Sequence, residues 1–151
     1  MLGMLSRMWG KQYNELKAKL RETDLRCVNY LDLVKMTFDV IVNQYPEQDA
    51  DHIVNIDGIQ EIDHGDYQGT KLFVIPLDTY QPWASDYLFT WVGYGSCTLC
   101  DTLMGIYPDW EEQPPYDVQT VGPFLSLCGH ILSNTTQPYG DSFEFEEEEK
   151  Q

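Results

Sequence analysis

The chain has 151 residues and carries 25 acidic side chains against nine lysines and arginines, so its net charge is −16. This length is ordinary for one domain and argues against a multidomain enzyme. The hydrophobic fraction of 42% excludes a disordered chain. The charge excludes a surface that binds nucleic acid by neutralising its phosphates.

The charge is distributed unevenly along the chain. Residues 1–26 contain six bases and three acids, a net charge of +3, whereas residues 27–151 contain three bases and 22 acids, a net charge of −19. The basic segment could dock on the acidic body, bind a different surface, or serve only solubility and intramolecular neutralisation.

No run of residues approaches the roughly 18 apolar residues that a membrane-spanning helix needs. The first residues also lack the apolar core and cleavage site of a secretory signal. We therefore expect a cytoplasmic protein that does not bind a membrane. Four cysteines are too few for a disulfide scaffold in a reducing compartment.

The first predicted element is a basic amphipathic helix over residues 1–24. Its apolar residues, from Leu2 to Leu20, recur every three or four positions, and lysines and arginines fill the other face. Such a face can lie on a membrane or in a partner's groove, but an apolar stripe more often faces the core. A second helical stripe runs from Val28 to Tyr45, where Pro46 ends it.

Three strands follow in the prediction. A short strand at 59–63, turn residues at 64–69 and a strong β run at 70–76 together predict a hairpin. A third strand covers 86–92, with aromatic residues on one face and Leu88, Thr90 and Val92 on the other. Because both faces could be covered, the pattern favours a central position in the sheet.

The remaining elements complete an α+β prediction. A glycine turn at 93–97 precedes a short helix at 98–106, a loop at 107–115 and a last helix at 117–133. Residues 134–151 end in an acidic run and predict a mobile tail. We thus expect a single α+β domain over 1–133, with two N-terminal helices, a small antiparallel sheet of three or more strands, and one or more C-terminal helices.

Cys97 and Cys100 form a CxxC motif at a predicted helix start, where free N–H groups would lower a thiol pKa. Cys97 is therefore the best candidate for a nucleophile or redox thiol, although Asp101 follows at once and no base supports a thiolate. With Cys128 and His130, the motif also forms a candidate zinc site, because tetrahedral zinc takes four such ligands. Simple packing is the alternative for Cys128, which lies on the apolar stripe of the last helix.

The acidic body offers a second kind of site. A dense array of carboxylates resembles a strand of phosphates electrostatically and would be attracted to a protein that holds DNA or RNA. Solubility alone is the alternative explanation. The predicted partner contacts are seven carboxylates in two groups, namely Asp57, Glu61, Asp63 and Asp66, and then Asp109, Glu111 and Glu112.

Two motifs carry a family resemblance. Asp66-Tyr-Gln-Gly-Thr70 and Tyr94-Gly-Ser-Cys-x-x-Cys-Asp101, with the segments around them, resemble a group of small, uncharacterised bacteriophage-encoded proteins. The resemblance covers about a third of the chain and implies no activity. It implies a phage or prophage product in the bacterial cytoplasm, where a small acidic protein often modulates a host enzyme or acts as a decoy against a defence nuclease.

The sequence therefore predicts a non-enzymatic, phage-encoded acidic protein that inhibits or modulates a host nucleic-acid-handling or antiphage defence protein. Nucleic-acid mimicry is one mechanism for such inhibition. Two alternatives stay open: a zinc-binding or thiol-redox protein centred on the CxxC motif, and a virion component that assembles through its first helix. The sequence requires no cofactor other than zinc in the first alternative, and it leaves the oligomeric state open.

Overall fold

A computed structural model describes residues 2–63, 70–79, 82–93 and 113–137. These residues form three α-helices and a three-stranded antiparallel sheet, which confirms the predicted α+β fold. The helices are α1 (Leu5–Glu22), α2 (Tyr30–Thr37) and α3 (Val118–Ser133), and the strands are β1 (Gln60–Asp63), β2 (Thr70–Pro76) and β3 (Tyr87–Gly93).

The first helix is confirmed, but its buried face differs from the predicted stripe, since Trp9 is half-buried and Tyr13 is exposed. A 3₁₀ turn at Leu2–Met4 leads into α1, whose buried stripe consists of Leu5, Met8, Gln12, Leu16 and Leu20. The helix ends because Thr23 adopts an extended conformation. The polar member of the stripe, Gln12, is the one departure from an ordinary apolar face.

The second predicted helix is divided. A 3₁₀ turn at Leu25–Cys27 precedes α2, and a π-helical turn at Phe38–Asn43 follows it. Wider π turns break the ordinary ladder of backbone hydrogen bonds. Gln12 donates its side-chain amide to the carbonyls of Val40, at 3.1 Å, and Gln44, at 3.2 Å. The buried glutamine therefore satisfies carbonyls at this turn.

The sheet has the strand order β1-β2-β3, and the β1–β2 hairpin is confirmed, with Glu61 opposite Phe73. The prediction that the third strand is central was wrong, because β2 is the middle strand of the described sheet. The other edge of β3 makes one bridge, between Phe89 and Thr136. The aromatic face of β3 is also only partly covered, since Trp91 is 46% exposed.

The opposite face of the sheet lies against the helices. Phe73 and Ile75 of β2 and Leu88 of β3 are fully buried, and Thr90 of β3 donates its hydroxyl to the carbonyl of Ile131 in α3 at 2.6 Å. The core therefore sits between this face and the helices, with α3 in direct contact with β3.

The last helix begins where the sequence predicts. Asp117 caps it by accepting a hydrogen bond from the Thr120 N–H at 2.9 Å. Pro123 lies inside the helix instead of at its start. Just before the cap, the backbone of Tyr116 exchanges hydrogen bonds with Arg21, which joins this segment to the end of α1.

The folded body extends beyond residue 133, where the predicted domain ends. Thr135 is buried, and Thr136 pairs with Phe89, so residues 134–137 belong to the fold and not to the predicted tail. The predicted helix at 98–106, most of the loop at 107–115 and the rest of the tail, 138–151, lie outside the described residues. Within the described ranges, no helix is long and apolar enough to cross a membrane.

Candidate functional site

A group of exposed carboxylates lies on the irregular segment between the π turn and the sheet. Pro46 follows the helical region, and the chain then forms two 3₁₀ turns, Ala50–His52 and Ile56–Gly58. We define the acidic surface as a set of five exposed carboxylates. Glu47, Asp49, Asp51 and Asp57 lie on this segment, and Asp78 lies just after β2.

Buried neighbours and backbone hydrogen bonds hold the acidic surface in place. Val54 and Ile59 are buried between the carboxylates, and Val54 bridges to Leu77. The N–H of Asp78 donates to the carbonyl of Ile53 at 2.7 Å, which brings the two parts of the acidic surface together. The carboxylates are therefore on the outside of a segment whose apolar residues anchor it to the core.

Few bases are available to neutralise this surface. The sequence contains no lysine or arginine between Lys35 and Lys71. Lys71 is already engaged, because its ammonium lies 3.0 Å from Glu61 and 5.7 Å from the centre of the Tyr30 ring. His52 belongs to the segment, with its Nδ1 atom 3.8 Å from Asp49. The acidic surface thus keeps a strongly negative field at neutral pH.

The first predicted contact group divides in the structure. Asp57 is exposed and belongs to the acidic surface, whereas Glu61 is half-buried and paired with Lys71. The ion pair and the partial burial leave less of the Glu61 carboxylate open to a partner than of Asp57, and its contact role stays a prediction. Asp63 ends β1, with its backbone opposite Lys71. Asp66 lies outside the described residues, as does the second group, Asp109, Glu111 and Glu112.

Sequence reasoning did not select four members of the acidic surface: Glu47, Asp49, Asp51 and Asp78. Three of them stand in the interval between Lys35 and Lys71, which contains eight acids and no lysine or arginine. That absence of bases was the signal that could have identified them. Asp78 had no such signal, because only the bridge between the end of β2 and residue 54 brings it near the others.

The structure does not bring Cys128 and His130 together. Positions i and i+2 of an α-helix point about 200° apart around the helix axis. Accordingly, Cys128 is fully buried while His130 is exposed. Burial raises the pKa of the Cys128 thiol to about 12, so the thiol is protonated at neutral pH. This favours packing over metal binding for Cys128.

The other two predicted zinc ligands, Cys97 and Cys100, lie outside the described residues. Among the residues that the structure does describe, no three potential ligands from His, Cys, Asp and Glu form a group that could hold a metal ion. The CxxC site therefore stays a prediction.

The basic residues of α1 face solvent. Arg7, Lys11 and Lys19 are exposed and form no ion pair with any carboxylate in the described ranges. Arg21 instead donates to the carbonyl of Tyr116 at 2.9 Å, and Lys17 lies over the Tyr13 ring at 5.4 Å. The buried stripe of α1 packs on the body, and among its bases Arg21 adds a direct hydrogen bond to it.

Comparison of the chain with known protein families, with curated proteins and with solved structures found no match.

Proposed function

We propose that this is a phage-encoded acidic interaction protein that acts in the bacterial cytoplasm on a host protein which handles nucleic acid or defends against phage. The observation that carries the proposal is the acidic surface, in which five exposed carboxylates stand on an anchored segment with no lysine or arginine between Lys35 and Lys71. A protein that binds nucleic acid has a basic surface to neutralise phosphates, and the same surface attracts these carboxylates.

Inhibition follows from competition for that basic surface. A host protein that binds the acidic surface cannot hold DNA or RNA at the same place, which is the action of a nucleic-acid mimic. Because the carboxylates are exposed, the interaction is screened by salt, with a Debye length of about 8 Å at physiological ionic strength. Weakening by salt is therefore an expected property of the complex.

The direct test is a pull-down from bacterial host lysate at two salt concentrations, with mass spectrometry of the recovered proteins. We expect a nucleic-acid-binding protein that is recovered at low salt and lost at high salt. The purified partner should then release a labelled DNA or RNA when the acidic protein is added. Recovery of no such protein, or capture without displacement of nucleic acid, contradicts the proposal.

A matched pair of variants localises the interaction. Asp51→Asn/Asp57→Asn removes two exposed charges from the acidic surface, and Glu15→Gln/Glu22→Gln removes two exposed charges from α1. Both variants change the net charge equally, so a general effect of charge would weaken binding equally. We expect the first variant to bind more weakly and with less dependence on salt, while the second keeps the affinity of the original protein.

A further inference from the structure

A cleft of about 560 Å³ lies between the start of α1 and the end of α3. It shares no residue with the acidic surface, and its volume is within the roughly 300–1,000 Å³ of ordinary ligand pockets. Trp9 and Gly129 are among its lining residues, together with five polar side chains, namely Ser6, Ser126, His130, Ser133 and Thr135, of which Thr135 already donates to the carbonyl of Ile131.

The indole of Trp9 forms an apolar wall of the cleft. Trp9 is half-buried and packs edge to face on Tyr13, with 5.5 Å between ring centres, which holds the indole in one orientation. Gly129 lies beside this ring in the wall of the cleft, since an added Cβ there would be in van der Waals contact with the Trp9 atoms Cζ2 and Cη2, at 3.5 Å. A longer side chain at 129 would therefore cover part of the indole edge and occupy part of the cleft.

Four polar side chains of the cleft are available for hydrogen bonds with a ligand. The side chains of Ser6, Ser126, His130 and Ser133 make no hydrogen bond within the described part of the chain. No residue that lines the cleft is Asp, Glu, Lys or Arg, and all 16 residues of α3 lack these four types. In a chain of net charge −16, such a surface is exceptional.

The helix ends add little net field. The cleft lies between the first turns of α1, where the helix dipole is positive, and the last turns of α3, where it is negative. The two opposite ends offset each other, so the helix dipoles favour neither a cation nor an anion. With no lysine, arginine, aspartate or glutamate in the lining, the cleft suits a neutral ligand.

We propose that this cleft binds a neutral ring that carries several hydroxyl groups, which is the chemistry of a sugar. The C–H face of such a ring packs on the Trp9 indole, while its hydroxyls exchange hydrogen bonds with the serine hydroxyls and His130. Both sides of each contact can donate and accept. A purely apolar ligand would instead cover these side-chain groups without offering them hydrogen bonds, which weakens its binding relative to a ring with hydroxyls.

The test is a ¹H–¹⁵N NMR titration of the full chain with uncharged sugars, using methyl glucoside, maltose and cellobiose as probes. We expect saturable shifts of the Trp9 indole N–H and of the Gly129 and His130 amides for at least one probe. Adenosine and toluene, titrated in parallel, represent a neutral nucleoside and an apolar ring.

Two glycines of α3 provide matched variants. Gly129→Leu fills the cleft beside Trp9, whereas Gly122→Leu makes the same change where nothing lies within 4 Å of the added Cβ. We expect Gly129→Leu to raise the apparent Kd for the sugar at least about tenfold and Gly122→Leu to leave it unchanged. Circular dichroism and thermal denaturation should show that both variants are folded.

A second variant, Trp9→Leu, keeps an apolar side chain but removes the flat ring, and we expect the loss of sugar binding. The proposal is overturned if no sugar gives saturable shifts at these positions, if Gly129→Leu binds as the original chain does, or if only adenosine or toluene saturates the cleft. None of these results bears on the acidic surface, so failure here is distinguishable from failure of the proposed function.

Discussion

α1 and α3 pack side by side, and each buries an apolar stripe, but their outer faces are opposite in character. The 18 residues of α1 include five bases and two acids, whereas the 16 residues of α3 include no lysine, arginine, aspartate or glutamate. Charges on the outer face of a helix are explained by contact with water. An uncharged outer face in so acidic a chain requires another explanation, and the cleft beside Trp9 supplies one.

The comparison also separates the two functional surfaces. The acidic surface stands on short turns that expose carboxylates, and the partner proposed for it is a large, basic macromolecule. The cleft lies where two helices leave a gap, and its lining suits a small neutral molecule. The contrast depends on the packing and capping of α1 and α3. Substitutions in these two helices test it, from the largest expected effect to the smallest.

The buried stripe of α3 should dominate stability. Phe124 is fully buried, so Phe124→Ala should lower the free energy of unfolding by about 3–5 kcal/mol, the usual cost for a buried aromatic side chain. Urea denaturation followed by circular dichroism measures this. Ser126→Ala, on the exposed face of the same helix, should change the free energy by less than about 0.5 kcal/mol. Equal effects would mean that α3 does not pack as described.

The polar member of the α1 stripe should matter next. Gln12→Met keeps the side-chain volume but removes the donor for the Val40 and Gln44 carbonyls. Leaving buried carbonyls without a partner should cost about 1–3 kcal/mol in the free energy of unfolding. The exposed Asn14→Met is the control in the same helix. A more stable Gln12→Met would show that water or another donor satisfies the π turn.

The N-cap of α3 should give a smaller effect that depends on pH. Hydrogen bonds from the Thr120 N–H hold the pKa of Asp117 below its usual value of 3.8. A lowered pKa in the folded state means that the ionised cap stabilises the protein above pH 3.8, and that this contribution is lost as pH falls through the folded pKa. Asp117→Ala should therefore lower the Tm at pH 7, and the difference should shrink below pH 3.8.

The control for that experiment is Gln119→Ala, an exposed change in the same first turn that caps nothing. Its difference from the original chain should stay constant across the same pH range. A constant difference for Asp117→Ala as well would mean that the carboxylate charge does not contribute to the cap.

The smallest effect is expected on the basic face of α1. Lys11 and Lys19 are exposed, and the described carboxylates do not pair with them, so Lys11→Gln/Lys19→Gln should change the free energy of unfolding by less than about 0.5 kcal/mol. Denaturation at 0.05 M and 0.5 M salt measures this. A larger loss that appears only at low salt would show that α1 is attached to the acidic body by charge.

The sequence predicted elements well where one periodicity dominates. The helical positions of α1 and α3, the buried stripe of α3 and the hairpin of β1 and β2 follow from local spacing. The position of β3 was wrong, because alternation shows that two faces could be covered but not which strand pairs on each side. The seven carboxylates predicted as partner contacts were chosen from charge alone. Charge in a sequence does not show that one of them, Glu61, pairs with Lys71.

By itself, the sequence determined the α+β class, the +3 and −19 division of charge, and the absence of bases between Lys35 and Lys71. These properties follow from composition and local periodicity, which do not depend on distant contacts. Only the tertiary structure decided that Asp78 joins the acidic surface, that Gln12 donates to carbonyls of the π turn, and that Trp9 lies beside Gly129 in the wall of a cleft. Each of these is a contact between residues far apart in the chain, and packing alone brings them together.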